Sequence, residues 1–278
     1  MSGDGFTALR VRHERGVAFV TIDHPPINLF DLTLIADVIR LGDALAADDS
    51  VRVVVVDSAN PDFFIAHADV ALIQRLPATP PPPPTRLGFF HAMVERWRTL
   101  PQATIAKIEG RARGGGSEFV LSLDMRFGAL GRAVLAQPEV ALGIIPGGGG
   151  TQRLPRLIGR ARALEAVLGC DDVPADVAER WGWLNRALPP EELGPFVETL
   201  ALRIASFPAD AVARAKACVD AAGGDVLPGL LAEADAFNHA VASPEARRRM
   251  AAFLEAGGQT PEVERDLRLL DSLHRERD

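Results

Sequence analysis

Two glycine runs fix where this chain must turn and how closely another group can approach its backbone. The first is Gly114-Gly115-Gly116, with Ser117 and Glu118 directly after it. The second is Gly147-Gly148-Gly149-Gly150, preceded by Gln137-Pro138-Glu139 and by Leu142-Gly143-Ile144-Ile145-Pro146. Glycine has no Cβ, so a ligand atom can lie directly against its N–H. The first run follows the buried-strand pattern Thr104–Ile108 and precedes the apolar stretch Phe119–Leu123, which reads as strand, turn, helix. A carboxyl group beside each turn suits proton transfer next to a developing oxyanion. That combination points to an enzyme rather than a binding module.

The rest of the first half alternates strand and helix patterns. Leu9–His13 and Val17–Ile22 flank Gly16 and read as a hairpin. Leu32, Ile35, Val38, Ile39 and Leu45 recur at helical spacing over about residues 31–47, with Asp31 as N-cap. Val51–Val56 reads as a buried strand, Asp57–Asp69 as a loop, and Leu87–Leu100 as a helix. Helices are expected near 151–168, 174–182, 190–206, 208–222, 228–242, 244–256 and 261–277. Five prolines at 80–84 favour a stiff, extended, exposed segment that could serve as a lid, since no basic residue flanks a repeated PxxP frame.

Of the 278 residues, 47% are hydrophobic and 24% charged, enough for one large domain or two small ones with a sizeable core. A net charge of −7 excludes a general attraction to nucleic acid or to an anionic membrane. No window approaches the ~20 apolar residues of a membrane span, and the two cysteines, Cys170 and Cys218, lack metal-ligand spacing. The expectation is a cytoplasmic protein.

Four segments, in order, resemble the enoyl-CoA hydratase/isomerase (crotonase) family. They are Pro25–Phe30, Phe63–Val70, Ile108–Glu118 and Gln137–Pro155. The resemblance implies an α/β fold, a spiral of ββα units (residues 1–205) with a helical C-terminal trimerisation subdomain (206–278). It implies a homotrimer or a dimer of trimers acting on an acyl-CoA thioester, with no metal and no cofactor beyond the coenzyme A of the substrate. By motif position the backbone N–H groups of Ala68 and Gly115 would hold the thioester oxygen. Glu118 would activate water and Glu139 would protonate the α-carbon, giving hydration of a trans-2-enoyl-CoA. Isomerisation, another reaction on a specialised acyl-CoA, and non-catalytic acyl-CoA binding are the alternatives.

Ile27, Leu29, Ala66, His67, Asp69, Val70, Gly114, Pro146 and Gly147 match family positions that line the substrate and coenzyme A groove. Arg10, Arg12, Arg75 and Arg86 are candidate phosphate partners. Read without the family, Glu118 is also a favourable first-turn helix residue and Glu139 a surface residue after proline. His67 departs from the motif, which has glycine there. It could turn outward with a positive φ, contact coenzyme A, or alter the oxyanion hole.

Overall fold

The computed structural model describes residues 5–266 and 269–270. Strands β1 (Leu9–Glu14) and β2 (Val17–Ile22) pair antiparallel from Leu9↔Ile22 to Glu14↔Val17. Arg15 and Gly16 form the two-residue turn with φ of 47° and 80°, and positive φ at both turn positions matches the twist of a hairpin. Helix α1 (Leu32–Ala46) starts where expected: Asp31 accepts from Thr33 N at 2.9 Å and Leu34 N at 3.0 Å. Alanine at 31 would cost about 1 kcal/mol.

The chain then repeats one manoeuvre. Strands β3 (Val53–Ser58) and β4 (Phe63–Ile65) lead to helices α2 (Val70–Ile73) and α3 (Phe89–Arg98). Strands β5 (Ala103–Ile108) and β6 (Arg111–Arg113) lead to α4 (Gly115–Ser122). Strands β7 (Met125–Ala129) and β8 (Val134–Ala136) lead through a 3-10 turn (Glu139–Leu142) to α5 (Gly150–Ile158). Helices α6 (Arg160–Gly169) and α7 (Ala175–Trp181) and strands β9 (Val173–Pro174) and β10 (Arg186–Leu188) follow. Each pass gives one strand to a six-stranded sheet, β1-β2-β3-β5-β7-β10, and one to a four-stranded sheet, β4-β6-β8-β9. β3, β5 and β7 run parallel, as do β4, β6 and β8, so the passes stack as a spiral.

The large sheet is buried on both faces, which is why Val53–Val56 is an unbroken apolar run. Val54 and Val56 face a core with Trp97, Phe119 and Phe30. Val53 and Val55 face Leu193, Val197 and Ala201 of α8 (Pro190–Ala205). Trp97 is fully buried and its indole N–H donates to Val38 O at 3.0 Å. Truncation to alanine would cost roughly 3–5 kcal/mol.

Four expectations change. The loop at 57–69 contains β4, whose three residues are too few to show alternation. The helix expected over 151–168 breaks at Gly159, with φ 79°. Of the helix expected over 261–277, α12 covers Pro261–Glu264, and 271–278 lie outside the described residues. The basic run Arg247–Arg249, which in the sequence reads as a solvated helix face or a subunit contact, is not merely solvated. Arg247 donates to Gln74 O and Leu76 O at 3.3 and 2.8 Å, and Arg249 to Ala141 O at 3.0 Å. These bonds tie α11 (Pro244–Glu255) to the residues beside the site. With α10 (Leu227–Ala242), α11 buries Val241, Ala246, Met250 and Phe253 against Val70, Leu142 and Ile144. Helix α9 (Ala209–Ala222) has no buried residue.

Candidate active site

The carboxyl ends of three neighbouring parallel strands, β4, β6 and β8, deliver His67–Asp69, Gly114–Gly115 and Gln137–Glu139 to one place. This is where ligands bind in open parallel sheets. A cavity lies there, and Ala68, Gly115, Glu118 and Glu139 all line it. Its remaining wall is mainly apolar, with Phe30, Leu72, Phe90 and Phe237. That lining fits a small-molecule pocket.

Two backbone donors meet at its edge. Phe30 N donates to His67 O at 2.9 Å and Asp69 N donates to Phe30 O at 3.1 Å. Those bonds take up the residues on either side of Ala68 and turn the Ala68 N–H the other way. Gly115 opens α4, so its N–H has no partner within the helix. Among the described residues neither N–H donates a hydrogen bond. A Cβ on Gly115 would sit 3.4 Å from Ala68 N and 3.2 Å from Phe90 Cζ. Gly114, with φ 49° and ψ −126°, needs glycine for its backbone alone. A Cβ there would also meet Glu139 Oε1 at 2.9 Å.

Both glutamates are buried, so neither is a surface residue. Glu118 Oε1 accepts from Gly148 N at 2.6 Å and Gly150 N at 2.8 Å. Burial, and then the nearby Glu233 carboxylate, push the Glu118 carboxyl up to about 7, although the two glycine N–H groups and His91 pull it down. Burial, and then Glu118, push Glu139 well above the ordinary carboxylate range. Glu118, which accepts from two backbone N–H groups, is the partner better suited to carry the charge. The Gln137 amide, oriented by its hydrogen-bond network with nitrogen toward Glu139, donates to its two oxygens at 3.2 and 3.3 Å.

Sequence reasoning missed Glu233 and His91. Glu233 on α10 accepts from Gly149 N at 2.5 Å, from Thr151 N at 2.9 Å and from the Thr151 hydroxyl. His91 Nε2 lies 3.0 Å from Glu233 Oε1. Arg153 adds a bond to Gly148 O at 2.8 Å and pairs with Glu95. The spacing of these residues carries no signal, since 82 to 84 positions separate Glu233 from the N–H groups it holds.

The other expected site residues divide. Asp69 and Gly147 line the first cavity, and Val70 and Gly114 a second, smaller one that shares Ala68, Gly115 and Glu139 with it. Pro146 packs under Gly150, where a Cβ would lie 2.8 Å from its own. Ile27 and Ala66 are fully buried with Phe63, and half-buried Leu29 packs on them, so the Ile27 and Ala66 side chains are core rather than groove lining. His67 does not turn outward. It is 8% exposed, its φ is not positive, and its ring meets Glu264. Arg10 and Arg12 pair with Asp23 and Glu14 on the hairpin. Arg75 and Arg86 are exposed on the segment between α2 and α3.

The family model described as enoyl-CoA hydratase/isomerase matches residues 12–260. The chain belongs to the enoyl-CoA hydratase/isomerase family. It is 34% identical over 244 residues to a crotonyl-CoA hydratase of Syntrophomonas wolfei, covering 87% of this chain and 93% of that one. It is 31% identical over 244 residues to a short-chain-enoyl-CoA hydratase of Clostridium acetobutylicum, covering 87% and 92%. A crystal structure of a candidate enoyl-CoA hydratase from Streptomyces avermitilis superposes with a TM-score of 0.89 at 42% identity, covering 98% of this chain and all of that one. The spiral is thus the fold of this enoyl-CoA hydratase/isomerase family member, as the four motifs implied.

Proposed function

We propose that this family member hydrates a trans-2-enoyl-CoA thioester to a 3-hydroxyacyl-CoA. The observation that carries the reading is the meeting of two backbone N–H groups, Ala68 and Gly115, that donate to no described residue, with two buried carboxyl groups of raised proton affinity. The thioester oxygen accepts from both N–H groups. Glu118, held by the Gly148 and Gly150 N–H groups, takes a proton from water as the water oxygen bonds to C3. The C2–C3 electron pair moves onto the thioester as an enolate, which the two donors bind better than the ground state. Glu139 then gives its proton to C2. The N-terminus of α4 at Gly115 adds the favourable end of its dipole.

Double-bond isomerisation moves one proton between two carbons and can use a single carboxyl group. Two carboxyl groups whose environments separate their protonation favour the addition of water. This chemistry asks for no redox group. Exposed Arg75, next to cavity-lining Leu76, is the basic residue best placed for a coenzyme A phosphate. Exposed Val219 and Leu227 at α9 and α10 suit the proposed homotrimer or dimer of trimers. A monomeric mass by light scattering would remove that assembly.

Glu118→Gln and Glu139→Gln test the mechanism. Each should lower crotonyl-CoA hydration at least about a hundredfold, while saturated butyryl-CoA binds as before. Wild-type turnover in both would remove the two-carboxyl mechanism.

A further inference from the structure

The two halves of the oxyanion site, the loop His67–Val70 and the turn Arg113–Gly115, share one set of partners far along the chain. His67 Nδ1 lies 2.8 Å from Ala68 O and Nε2 lies 2.9 Å from Glu264 Oε1. Gln259 Nε2 donates to Asp69 Oδ1 at 3.0 Å, and Val70 N donates to Gln259 Oε1 at 2.6 Å. Gln259 N donates to Glu264 Oε1 at 2.9 Å. On the other half, Arg113 Nη1 donates to Glu264 O at 2.5 Å, and its guanidinium forks onto Asp172 at 2.7 and 2.6 Å. Arg113, Glu264 and His67 are 0%, 1% and 8% exposed.

The ring chemistry is constrained. A carbonyl only accepts, so Nδ1 carries a proton. A carboxylate also only accepts, so Nε2 carries one too, and the ring is an imidazolium paired with Glu264. Burial pulls the His67 ring down, but the Glu264 carboxylate and the bonds to Glu264 and Ala68 leave it above its ordinary value. Gln259 has a φ of 70°, a backbone region costly for glutamine. Its bonds to Asp69, Val70 and Glu264 hold it there.

We infer that Gln259 and Glu264 form a positioning clasp that holds both oxyanion donors in register, and that His67 is the side chain through which Glu264 grips the Ala68 carbonyl, next to the donor N–H. The clasp deepens the proposed hydratase reading and rests on it. It predicts that catalysis of enolate formation, rather than capture of a saturated thioester, depends on a segment 190 positions from Asp69. Oxyanion donors act only when aimed at the developing charge, so small rotations of the 67–68 peptide lower turnover without lowering ground-state affinity.

The test uses the full chain with Glu264→Gln and Gln259→Ala, and Glu262→Gln on the exposed side of α12 as control. Crotonyl-CoA turnover, butyryl-CoA affinity and the near-ultraviolet enolate absorbance of bound acetoacetyl-CoA are measured on each. Glutamine at 264 cannot keep both bonds of a neutral His67 ring and also accept from Gln259 N, because the one atom would have to donate to the ring and accept from the amide, and Gln259→Ala leaves no buried charge unpaired. Both should lose about tenfold to a hundredfold in kcat with KM and butyryl-CoA affinity nearly unchanged, and the enolate absorbance should fall with kcat. Wild-type kcat and enolate absorbance in both variants would overturn the clasp. So would parallel loss of butyryl-CoA affinity and a collapsed melting transition in both, which would make the segment a fold element only. If the wild type fails to hydrate crotonyl-CoA but forms the enolate, and the variants do not, hydration falls and the clasp stands. If the wild type does neither, both fall.

Discussion

Glu118 and Glu233 divide the first turn of α5 between them. Glu118 takes the N–H groups of Gly148 and Gly150, and Glu233 takes those of Gly149 and Thr151. Successive N–H groups in this glycine turn therefore alternate between a carboxyl that lines the cavity and one behind it. Both benefit from the positive end of the helix, and each raises the cost of charging the other.

This division predicts opposite pH shifts. Glu118 must be ionised to accept a proton from water, so the acid limb of kcat/KM follows its pKa of about 7. His91 and Glu139 are the other titratable groups facing it, from α3 and the 3-10 turn. Glu233→Gln removes a negative charge and should move the limb down by about one pH unit. His91→Gln removes one of the groups that pull Glu118 down and should move the limb up. Equal displacement of both variants in one direction would contradict the account.

The same burial carries a stability cost. The proton affinity of Glu118 is raised in the folded state, so between about 4.5 and about 7 the fold holds more protons than the unfolded chain. Stability attributable to this group is intact below that window and falls as pH rises through it. Glu118→Gln keeps an oxygen to accept from Gly148 and Gly150 but carries no charge. It should stabilise the protein by on the order of 3 kcal/mol at pH above the window and by little below it. Denaturant midpoints at the two pH extremes check this; equal midpoints of wild type and variant at high pH would refute it.

Much of this site was legible in the residues, for reasons that can be named. The hairpin showed because Leu9–His13 alternates and Gly16 supplies a turn. Asp31 showed as a cap because a short side-chain oxygen stands directly before a helical period. Glu118 and Glu139 showed because the glycines that shape their surroundings are sequence neighbours. Glu233 and the inward turn of His67 did not, because their partners are contributed by tertiary packing. His67 and Glu264 are 197 positions apart, and no local rule sets a ring's direction by so remote a group. The helix break at Gly159 was hidden because apolar residues keep helical spacing on both sides of it.

Gly148 offers a sharp steric test. A Cβ there would lie 2.4 Å from Phe90 Cε1 and 2.8 Å from Glu118 Oε2. Neither neighbour can give way without leaving the cavity wall. Gly148→Ala should cost about 1–3 kcal/mol in stability and should lower hydration more than Gly131→Ala, whose site is open though its φ of 71° carries its own backbone strain. Comparable activity of the two variants would show that the Gly148–Glu118 contact does not shape the site.

The most direct measurement is incubation of the wild-type protein with crotonyl-CoA in oxygen-isotope-labelled water. Loss of the conjugated thioester absorbance is followed, and the product is weighed by mass spectrometry. The account predicts a 3-hydroxybutyryl-CoA that carries one labelled oxygen from solvent. An unlabelled product of unchanged mass, or bound crotonyl-CoA with no turnover, would contradict it.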